Sequence, residues 1–264
     1  MNQFDQLASM YDLDMTDKTE GISMYLDYAR AQGSPVLQLG SGVGRLLLPI
    51  ASIGIDIYGV DSSETMLEFV QSEMDAGPDE VKQRITLIEH ELPDFQQDMQ
   101  FNLILIAFNS FLNLLTREDQ QKTLVNVHNM LTDNGLLIID IVTPKHGELA
   151  REWLRRKDVP IYRGLLYDEE TSTTYVRNDR VRVNLTDQIQ DTEMIYDTVY
   201  PDGRIEKAVR IVQTKYIFRS EMEILLESSG FNIRNFFSNY DSNQEYNYDD
   251  SFAMVFVAKK AQIK

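Results

Sequence analysis

Apolar residues in the first half of this chain follow two patterns. Short continuous apolar runs are typical of strands covered on both faces, whereas an apolar residue at every third or fourth position is typical of a helix. The strand-like runs are Val36–Leu39, Ile55–Val60, Ile85–Ile88, Phe101–Ala107 and Leu136–Val142. Helix-like segments lie between them, so the pattern predicts an α/β protein with a buried sheet.

Local signals predict where the helices begin and end. Ser62-Ser63-Glu64 predicts a helix start, with a hydroxyl cap and an acid in the first turn, and Gly77-Pro78 ends that helix. A second helix is predicted over Arg117–Met130, with Asn134-Gly135 as its end signal before the fifth strand. Two further helices are predicted near the N-terminus, over Phe4–Tyr11 and Lys18–Ala31.

The composition changes after the fifth strand, where Thr, Val, Tyr and Ile become frequent. Alternating runs there predict an antiparallel insertion, with hairpin turns at Asn178-Asp179 and Pro201-Asp202-Gly203. The predicted strands are Tyr162–Tyr167, Thr171–Asn178, Arg180–Leu185, Ile189–Val199 and Ile205–Tyr216. A helix over Phe218–Ser229 and strands over Ile233–Phe237 and Phe252–Ala258 complete the chain.

A glycine-rich turn follows the first strand. Gly40, Gly42 and Gly44 precede a helix that is predicted to begin at Arg45, and such a turn presents unpaired backbone N–H groups to an anionic group. The dinucleotide fingerprint G-x-G-x-x-G requires a glycine where this chain has Arg45. Asp61 closes the second strand about 20 residues after the first glycine, where an acid accepts hydrogen bonds from both ribose hydroxyls. The turn therefore suits an adenosine ribose without a pyrophosphate.

Composition excludes several classes of function. The chain has 264 residues, a formal charge of −17 and no cysteine. It lacks the clustered basic residues of a nucleic-acid surface, and it has neither disulfides nor thiolate chemistry. Ten acidic and only two basic residues lie from Glu64 to Asp98. This negative charge favours a cationic cofactor or an amine substrate, but it is equally explained by a need for solubility. With no apolar run of about 20 residues and no secretory signal, we expect a cytoplasmic protein without a membrane span.

Four segments resemble, in order, the motifs of class I S-adenosylmethionine-dependent methyltransferases. They read VLQLGSGVGRLLLPIA, GVDSSETML, ITLIEHELPDF and FNLILIAFNSFLNLL. The resemblance extends from about Tyr11 to the C-terminal strand. It is nearest to bacterial small-molecule methyltransferases that carry an antiparallel insertion after the fifth strand.

The resemblance implies a seven-stranded, mostly parallel, doubly wound Rossmann-like sheet with an N-terminal helical lid and a small antiparallel β insertion. The implied segments are the lid at 1–34, the cofactor-binding core at 35–149, the antiparallel cap at 150–216, and the C-terminal helix and last two strands at 217–264.

The resemblance also implies which residues bind S-adenosylmethionine and release S-adenosylhomocysteine. Asp61 would bind the ribose and Glu91 the adenine amino group. Phe108 and Phe111 would present their rings to the sulfonium. Met66, Phe108 and Phe111 also suit the core, and Tyr11 also suits a helix end. The full set of expected cofactor-binding residues is Tyr11, Gly40, Ser41, Gly42, Gly44, Arg45, Asp61, Ser62, Met66, Glu91, Leu92, Ala107, Phe108 and Phe111.

Two positions depart from the family. Gln38 stands where the family usually has an acid that holds the amino group of the cofactor, and Asn113 stands where relatives often carry a histidine. Methyl transfer by in-line displacement depends mainly on alignment and needs no metal. We therefore expect a nitrogen or an already acidic oxygen of a small molecule as the acceptor. The candidate catalytic residues are Tyr11, Asn113, His146 and Tyr240.

Two other functions stay open from the sequence. The first is a non-catalytic protein that senses S-adenosylmethionine or its product, which Gln38 and the missing histidine favour. The second is an NAD-dependent oxidoreductase, against which Arg45 counts. The oligomeric state and the identity of the acceptor do not follow from these residues.

Overall fold

The computed structural model describes residues 19–147, 149–150, 159–168 and 171–261. The predicted Phe4–Tyr11 helix lies outside them. The chain divides into two compact units. One contains 19–143 and 217–261, and the other contains the described part of 144–216.

The first unit contains seven strands and six α-helices within the described residues. The strands are β1 (Val36–Leu39), β2 (Ile57–Asp61), β3 (Ile85–Glu89), β4 (Phe101–Ile106), β5 (Leu131–Val142), β10 (Phe231–Ser238) and β11 (Ala253–Lys260). The helices are α1 (Ile22–Gln32), α2 (Leu47–Ser52), α3 (Glu64–Ala76), α4 (Asp79–Lys82), α5 (Arg117–Met130) and α6 (Arg219–Ser228).

These strands form one sheet in the order β10-β11-β5-β4-β1-β2-β3. Strands β1 to β5 are parallel, and β11 is antiparallel to both β5 and β10. The strand order reverses between β1 and β4, and ligands of open α/β sheets bind at such a point, beyond the carboxyl ends of the strands. The predicted seven-stranded, mostly parallel sheet is confirmed.

Both faces of this sheet are covered, which explains the continuous apolar runs. Leu37 and Leu39 of β1 belong to the core cluster on one face, which also contains Leu124 of α5. Val36 of β1 belongs to the cluster on the other face, together with Tyr25 of α1. Because adjacent strand residues point to opposite faces, the four residues of β1 contribute to both layers.

Two predicted boundaries are wrong. Asn134-Gly135 does not end the helix, because α5 ends at Met130 and β5 begins at the next residue. Leu131 pairs with Phe101 and Leu136 pairs with Leu103, so residues 132–135 lie in an irregularity of the sheet, which interrupts the apolar run at that point.

The predicted hairpin turn at Asn178-Asp179 is also wrong. A single strand runs through it, with Asn178 opposite Ile195. The Asp179 carboxylate is buried and accepts hydrogen bonds from the guanidinium groups of Arg163 and Arg177 at 2.9 and 3.0 Å. These ion pairs outweigh the turn preference of the Asn-Asp dipeptide.

The second unit is a four-stranded antiparallel sheet in the order β6-β7-β8-β9. Pro201-Asp202-Gly203 makes the β8–β9 turn as predicted. The strands are β6 (Ile161–Asp168), β7 (Thr173–Asn184), β8 (Ile189–Val199) and β9 (Ile205–Lys215). None of the helices in the described parts of the chain is both long and apolar enough to cross a membrane.

Candidate functional site

The glycine turn after β1 requires glycine for two different reasons. Gly40, Gly42 and Gly44 have φ angles of 73°, 54° and 84°, in the left-handed region that disfavours side chains. A Cβ on Gly40 would also lie 2.6 Å from the side chain of Ser110, so this turn and the loop after β4 are in close contact. A Cβ on Gly42 would meet nothing within 4 Å. The space above Gly42 is therefore open to a ligand.

The Asp61 carboxylate at the end of β2 holds this turn. One oxygen accepts a hydrogen bond from the backbone N–H of Gly42 at 2.8 Å, and the other accepts from the N–H of Ser63 at 3.0 Å. Burial raises the pKa of Asp61 and nearby Glu91 raises it further, while the N–H donors, including that of Ser62, oppose this. Each carboxylate oxygen has two lone pairs, so the group retains capacity for ligand hydroxyls.

Two buried side-chain oxygens beside the turn have no hydrogen-bond partner among the residues that the structure describes. They are Oε1 of Gln38, the third residue of β1, and Oγ of Ser41, in the glycine turn itself. Gln38 and Ser41 are only 1% and 4% exposed. Buried polar atoms are normally paired, so these two oxygens mark a place where a ligand can complete the hydrogen bonding.

The loop after β4 has a strained backbone. Phe108 and Asn109 are consecutive non-glycine residues with left-handed φ angles of 52° and 68°. The Ser110 hydroxyl donates to the carbonyl oxygens of Ala107 at 2.8 Å and Gly40 at 3.1 Å. The Arg45 guanidinium lies 3.8 Å from the centroid of the Phe108 ring. The loop therefore contacts both ends of the glycine turn.

A fully buried carboxylate, Asp140 of β5, organises the neighbouring aromatic residues. It accepts hydrogen bonds from the Tyr25 hydroxyl, from the Phe108 backbone N–H at 2.8 Å and from the Tyr240 hydroxyl at 2.9 Å. The rings of Tyr25 and Phe108 are 5.6 Å apart, and Tyr240 lies 6.3 Å from each of them. Burial raises the pKa of Asp140, and these hydrogen bonds oppose the rise.

Tyr240, which belongs to this cluster, lies in a second strained loop. Asn239 and Tyr240 follow β10 with left-handed φ angles of 55° and 61°. The Asn239 side-chain oxygen accepts from the backbone N–H groups of Phe252 and Ala253 at 2.7 and 3.2 Å. Burial is the main cause that raises the pKa of Tyr240, and adjacent Asp140 raises it further. The hydroxyl is therefore protonated at neutral pH, where it can donate a hydrogen bond; a catalytic role for Tyr240 stays a prediction.

The structure brings together part of the predicted residue set. The glycine turn, Arg45, Asp61, Ala107 and Phe108 lie around the carboxyl ends of β1, β2 and β4. Phe111 is fully buried in the core cluster, so its position does not support the expected contact with a sulfonium. Met66 is also buried, at the start of α3.

The other predicted residues are exposed, half-buried or outside the described part of the chain. Glu91 is exposed and Leu92 is half-buried, and both follow β3. His90 lies between β3 and Glu91, and its backbone N–H donates to the Asp61 carbonyl oxygen at 3.0 Å. Asn113 is half-buried at the end of a short 3-10 helix. His146 is exposed and belongs to the second unit, and Tyr11 lies outside the described residues. Cofactor or catalytic roles for these residues stay predictions.

Sequence reasoning missed Asp140 and Tyr25. A signal for Asp140 was present, because it interrupts the otherwise apolar run from Leu136 to Val142. A charge within a strand covered on both faces needs partners. Tyr25 carried no such signal, because an apolar helix face accommodates tyrosine without further requirement. Within the described residues, no group of three or more acidic or histidine side chains is placed to hold a metal ion.

Comparison with known proteins identifies the fold of this chain. Residues 37–137 match the model of a family described as Methyltransferase domain. Over 136 residues the chain is 26% identical to YqeM of Bacillus subtilis, which is named as a methyltransferase, covering 51% of this chain and 53% of YqeM. The matched region spans about half the length of the curated relatives.

Two solved structures resemble nearly the whole chain. The CcbJ methyltransferase from Streptomyces caelestis has a TM-score of 0.74 at 18% identity, covering 98% of both chains. KedS8 from Streptoalloteichus, described as a sugar N-methyltransferase, has a TM-score of 0.68 at 14% identity, covering 96% of this chain and 93% of KedS8. The predicted class I methyltransferase fold is thereby confirmed.

Proposed function

We propose that this chain is an S-adenosylmethionine-dependent methyltransferase that methylates a nitrogen or oxygen of a small-molecule acceptor by in-line displacement. The observation that carries the proposal is the Asp61–Gly42 hydrogen bond, which shapes an open turn beside two unpaired buried oxygens. The methyltransferase domain matched over residues 37–137 supports the choice of cofactor.

The residues present suit an adenosyl amino acid. The Asp61 carboxylate would accept hydrogen bonds from the ribose hydroxyls, and Glu91, close enough to influence Asp61, would accept from the adenine amino group. The Gln38 oxygen, buried and unpaired, would accept from the amino group of the methionine part. Because Gln38 is uncharged, this contact is weaker than one made by the acid that the family usually has.

S-adenosylmethionine, when bound, supplies a methyl group on a positively charged sulfur. The contribution of this chain is alignment, because holding two reactants in line removes much of the entropic barrier. The glycine turn and the loop after β4 are held rigidly against each other through Ser110 and Gly40. Rigid elements of this kind fix a bound group within the narrow range that displacement requires.

The proposed acceptor rests on Asn113 and Tyr240, the candidate catalytic residues described in the first unit. Tyr240 stays protonated at neutral pH, and Asn113 cannot remove a proton. An amine that reaches the site deprotonated needs no base, and an oxygen that is already acidic needs none either. The likeness to KedS8, a sugar N-methyltransferase, supports an amine nitrogen.

Ligand binding and turnover test the proposal separately. Stabilisation against heat by S-adenosylhomocysteine, but not by NAD, is the expected result, and stabilisation by NAD alone would overturn it. Transfer of a radiolabelled methyl group is then measured across panels of amines, phenols and carboxylic acids. Binding without turnover on any panel would favour the non-catalytic sensor, which Gln38 and Asn113 keep as a second candidate.

A further inference from the structure

We propose that Asp140 is a positioning residue for methyl transfer, whose buried carboxylate sets the strained loop that borders the cofactor seat and a second strained loop packed against the first. The cofactor seat is defined as the turn Gly40–Gly44 together with Asp61. This inference rests on the proposed function of that seat. Asp140 acts through Phe108 and Tyr240 rather than through contact with the reactants.

The first argument is the placement of the carboxylate itself. Asp140 lies in β5 opposite Val255 of β11 and has no exposed surface. Burying an ionisable group is costly, and an apolar residue at this position would continue the run of Leu137 to Ile141 without that cost. The acid is therefore explained by its hydrogen bonds and not by packing.

The second argument is that a residue of each strained loop donates a hydrogen bond to the Asp140 carboxylate. Left-handed φ angles are uncommon for residues other than glycine and are most unfavourable for bulky ones, yet both loops contain an aromatic residue in this conformation. Phe108 donates its backbone N–H to one carboxylate oxygen, and Tyr240 donates its hydroxyl to the other. The backbone carbonyl of Asp140 also accepts from the N–H of Asn109 at 3.3 Å. The carboxylate thus offsets strain in both loops.

The third argument is the short path from Asp140 to the cofactor seat. The N–H of Phe108 is held by Asp140, and two residues later Ser110 donates to the carbonyl oxygen of Gly40 at 3.1 Å. The Phe108 ring contacts the Arg45 guanidinium directly after the seat. A change in the 107–110 backbone therefore moves groups that touch the cofactor seat at both ends.

Tyr25 extends the same arrangement to the N-terminal helix. Its hydroxyl donates to the oxygen of Asp140 that also accepts from Phe108. Its ring packs edge-on against Phe108. Helix α1 is thereby tied to the loop after β4 through the same carboxylate.

The test compares the affinity for S-adenosylhomocysteine among four proteins: the wild-type chain, Asp140→Asn, Tyr240→Phe and the control Tyr28→Phe. Tyr28 lies on α1 close to Tyr25 in sequence, but the side chain that influences its hydroxyl is Asn235 and not Asp140. Because a hydrogen bond to a charged group contributes strongly, Asp140→Asn is expected to weaken binding about tenfold and Tyr240→Phe about threefold. Tyr28→Phe is expected to bind within about twofold of wild type.

Two readouts separate positioning from a general loss of stability. The double variant Asp140→Asn/Tyr240→Phe is expected to bind like Asp140→Asn alone, because both changes remove the same contact. Hydrogen exchange of the peptide covering residues 107–113 is expected to accelerate in Asp140→Asn and to stay unchanged in Tyr28→Phe. A lowered melting temperature with wild-type affinity would assign Asp140 a structural role only and overturn the inference.

Failure of the inference differs from failure of the proposed function. If the wild-type chain does not bind S-adenosylhomocysteine, the proposed function fails. If the wild-type chain binds it and Asp140→Asn binds equally well, the proposed function stands and the positioning role is refuted. If Asp140→Asn does not fold, Tyr240→Phe decides, since it removes a single hydroxyl: wild-type affinity in that variant refutes the role.

Discussion

The Asp61 carboxylate accepts a hydrogen bond from the backbone N–H of Gly42, which lies 19 residues earlier, at 2.8 Å. The end of β2 is thereby tied to the middle of the turn after β1. Asp61 has two tasks in the proposed site, because the same carboxylate shapes the turn and would bind the ribose. A substitution at this position removes both contributions together.

Replacement of Asp61 by alanine is expected to weaken binding of S-adenosylhomocysteine by about 2 kcal/mol, the scale of hydrogen bonds to a charged group. Titration calorimetry measures the change. Asp56→Ala is a suitable control. Asp56 is an exposed acid directly before β2, and it pairs with Arg84 at 2.8 Å. Equal affinity of the Asp61→Ala and wild-type chains would refute the ribose assignment.

The affinity for S-adenosylhomocysteine is expected to fall as the pH is lowered. Burial and nearby Glu91 raise the pKa of Asp61 above its ordinary value, and only the ionised carboxylate offers all its oxygens as acceptors. Protonation therefore competes with ligand binding, beginning at a higher pH than for an ordinary aspartate. Calorimetry over a pH series checks this.

Asp61→Asn is the control for this pH dependence, because it retains Glu91 and abolishes titration at position 61, although it also replaces one acceptor oxygen by a donor. Its affinity should be lower than that of wild type at neutral pH and should change less with pH. A wild-type pH dependence that survives in Asp61→Asn would assign it to another group.

Gly42→Val is expected to abolish binding of S-adenosylhomocysteine while the fold survives. A valine there would adopt a left-handed φ angle and extend into the open space above the turn. The strain alone is expected to cost about 1–3 kcal/mol of unfolding free energy.

Gly54→Val is a matched control for that variant. Gly54 also has a left-handed φ, of 86°, and a Cβ there also meets nothing within 4 Å, but it lies in the turn after α2. Both variants should lose comparable stability in chemical denaturation, and only Gly42→Val should lose the ligand. Retained binding in Gly42→Val would show that the ligand lies elsewhere.

The unfolding free energy is expected to show a contribution from Asp140 that decreases as the pH rises. Burial raises the pKa of Asp140 in the folded chain, so the folded state retains this proton at a pH where the unfolded state has released it. The stabilisation is fully present below the ordinary aspartate pKa and is lost as the pH rises through the raised pKa.

Comparison with Asp140→Asn isolates this contribution, since the other carboxylates are common to both proteins. The difference in unfolding free energy, wild type minus variant, should fall across this pH window and be constant above it. Urea denaturation at a series of pH values measures both proteins. A constant difference over the whole range would contradict a raised pKa for Asp140.

Much of the fold was predictable because it depends on local patterns. The parallel strands are covered on both faces, so they appear as apolar runs, and the Ser63 cap and Gly77-Pro78 fix the limits of α3. The prediction failed at Asn178-Asp179, where local turn preference was overridden by ion pairs of Asp179 with Arg177 on the same strand and with Arg163 on the neighbouring strand β6.

The sequence by itself determined the order of the elements, the glycine turn and the position of Asp61, because each depends on residues within a short stretch of chain. Only the tertiary structure decided that Phe111 lies in the core and that Asp140 is a centre of hydrogen bonding. The partners of Asp140 that donate from Tyr25, Phe108 and Tyr240 are 115, 32 and 100 residues away. Contacts between residues so distant along the chain form only when the sheet assembles, and no local pattern records them.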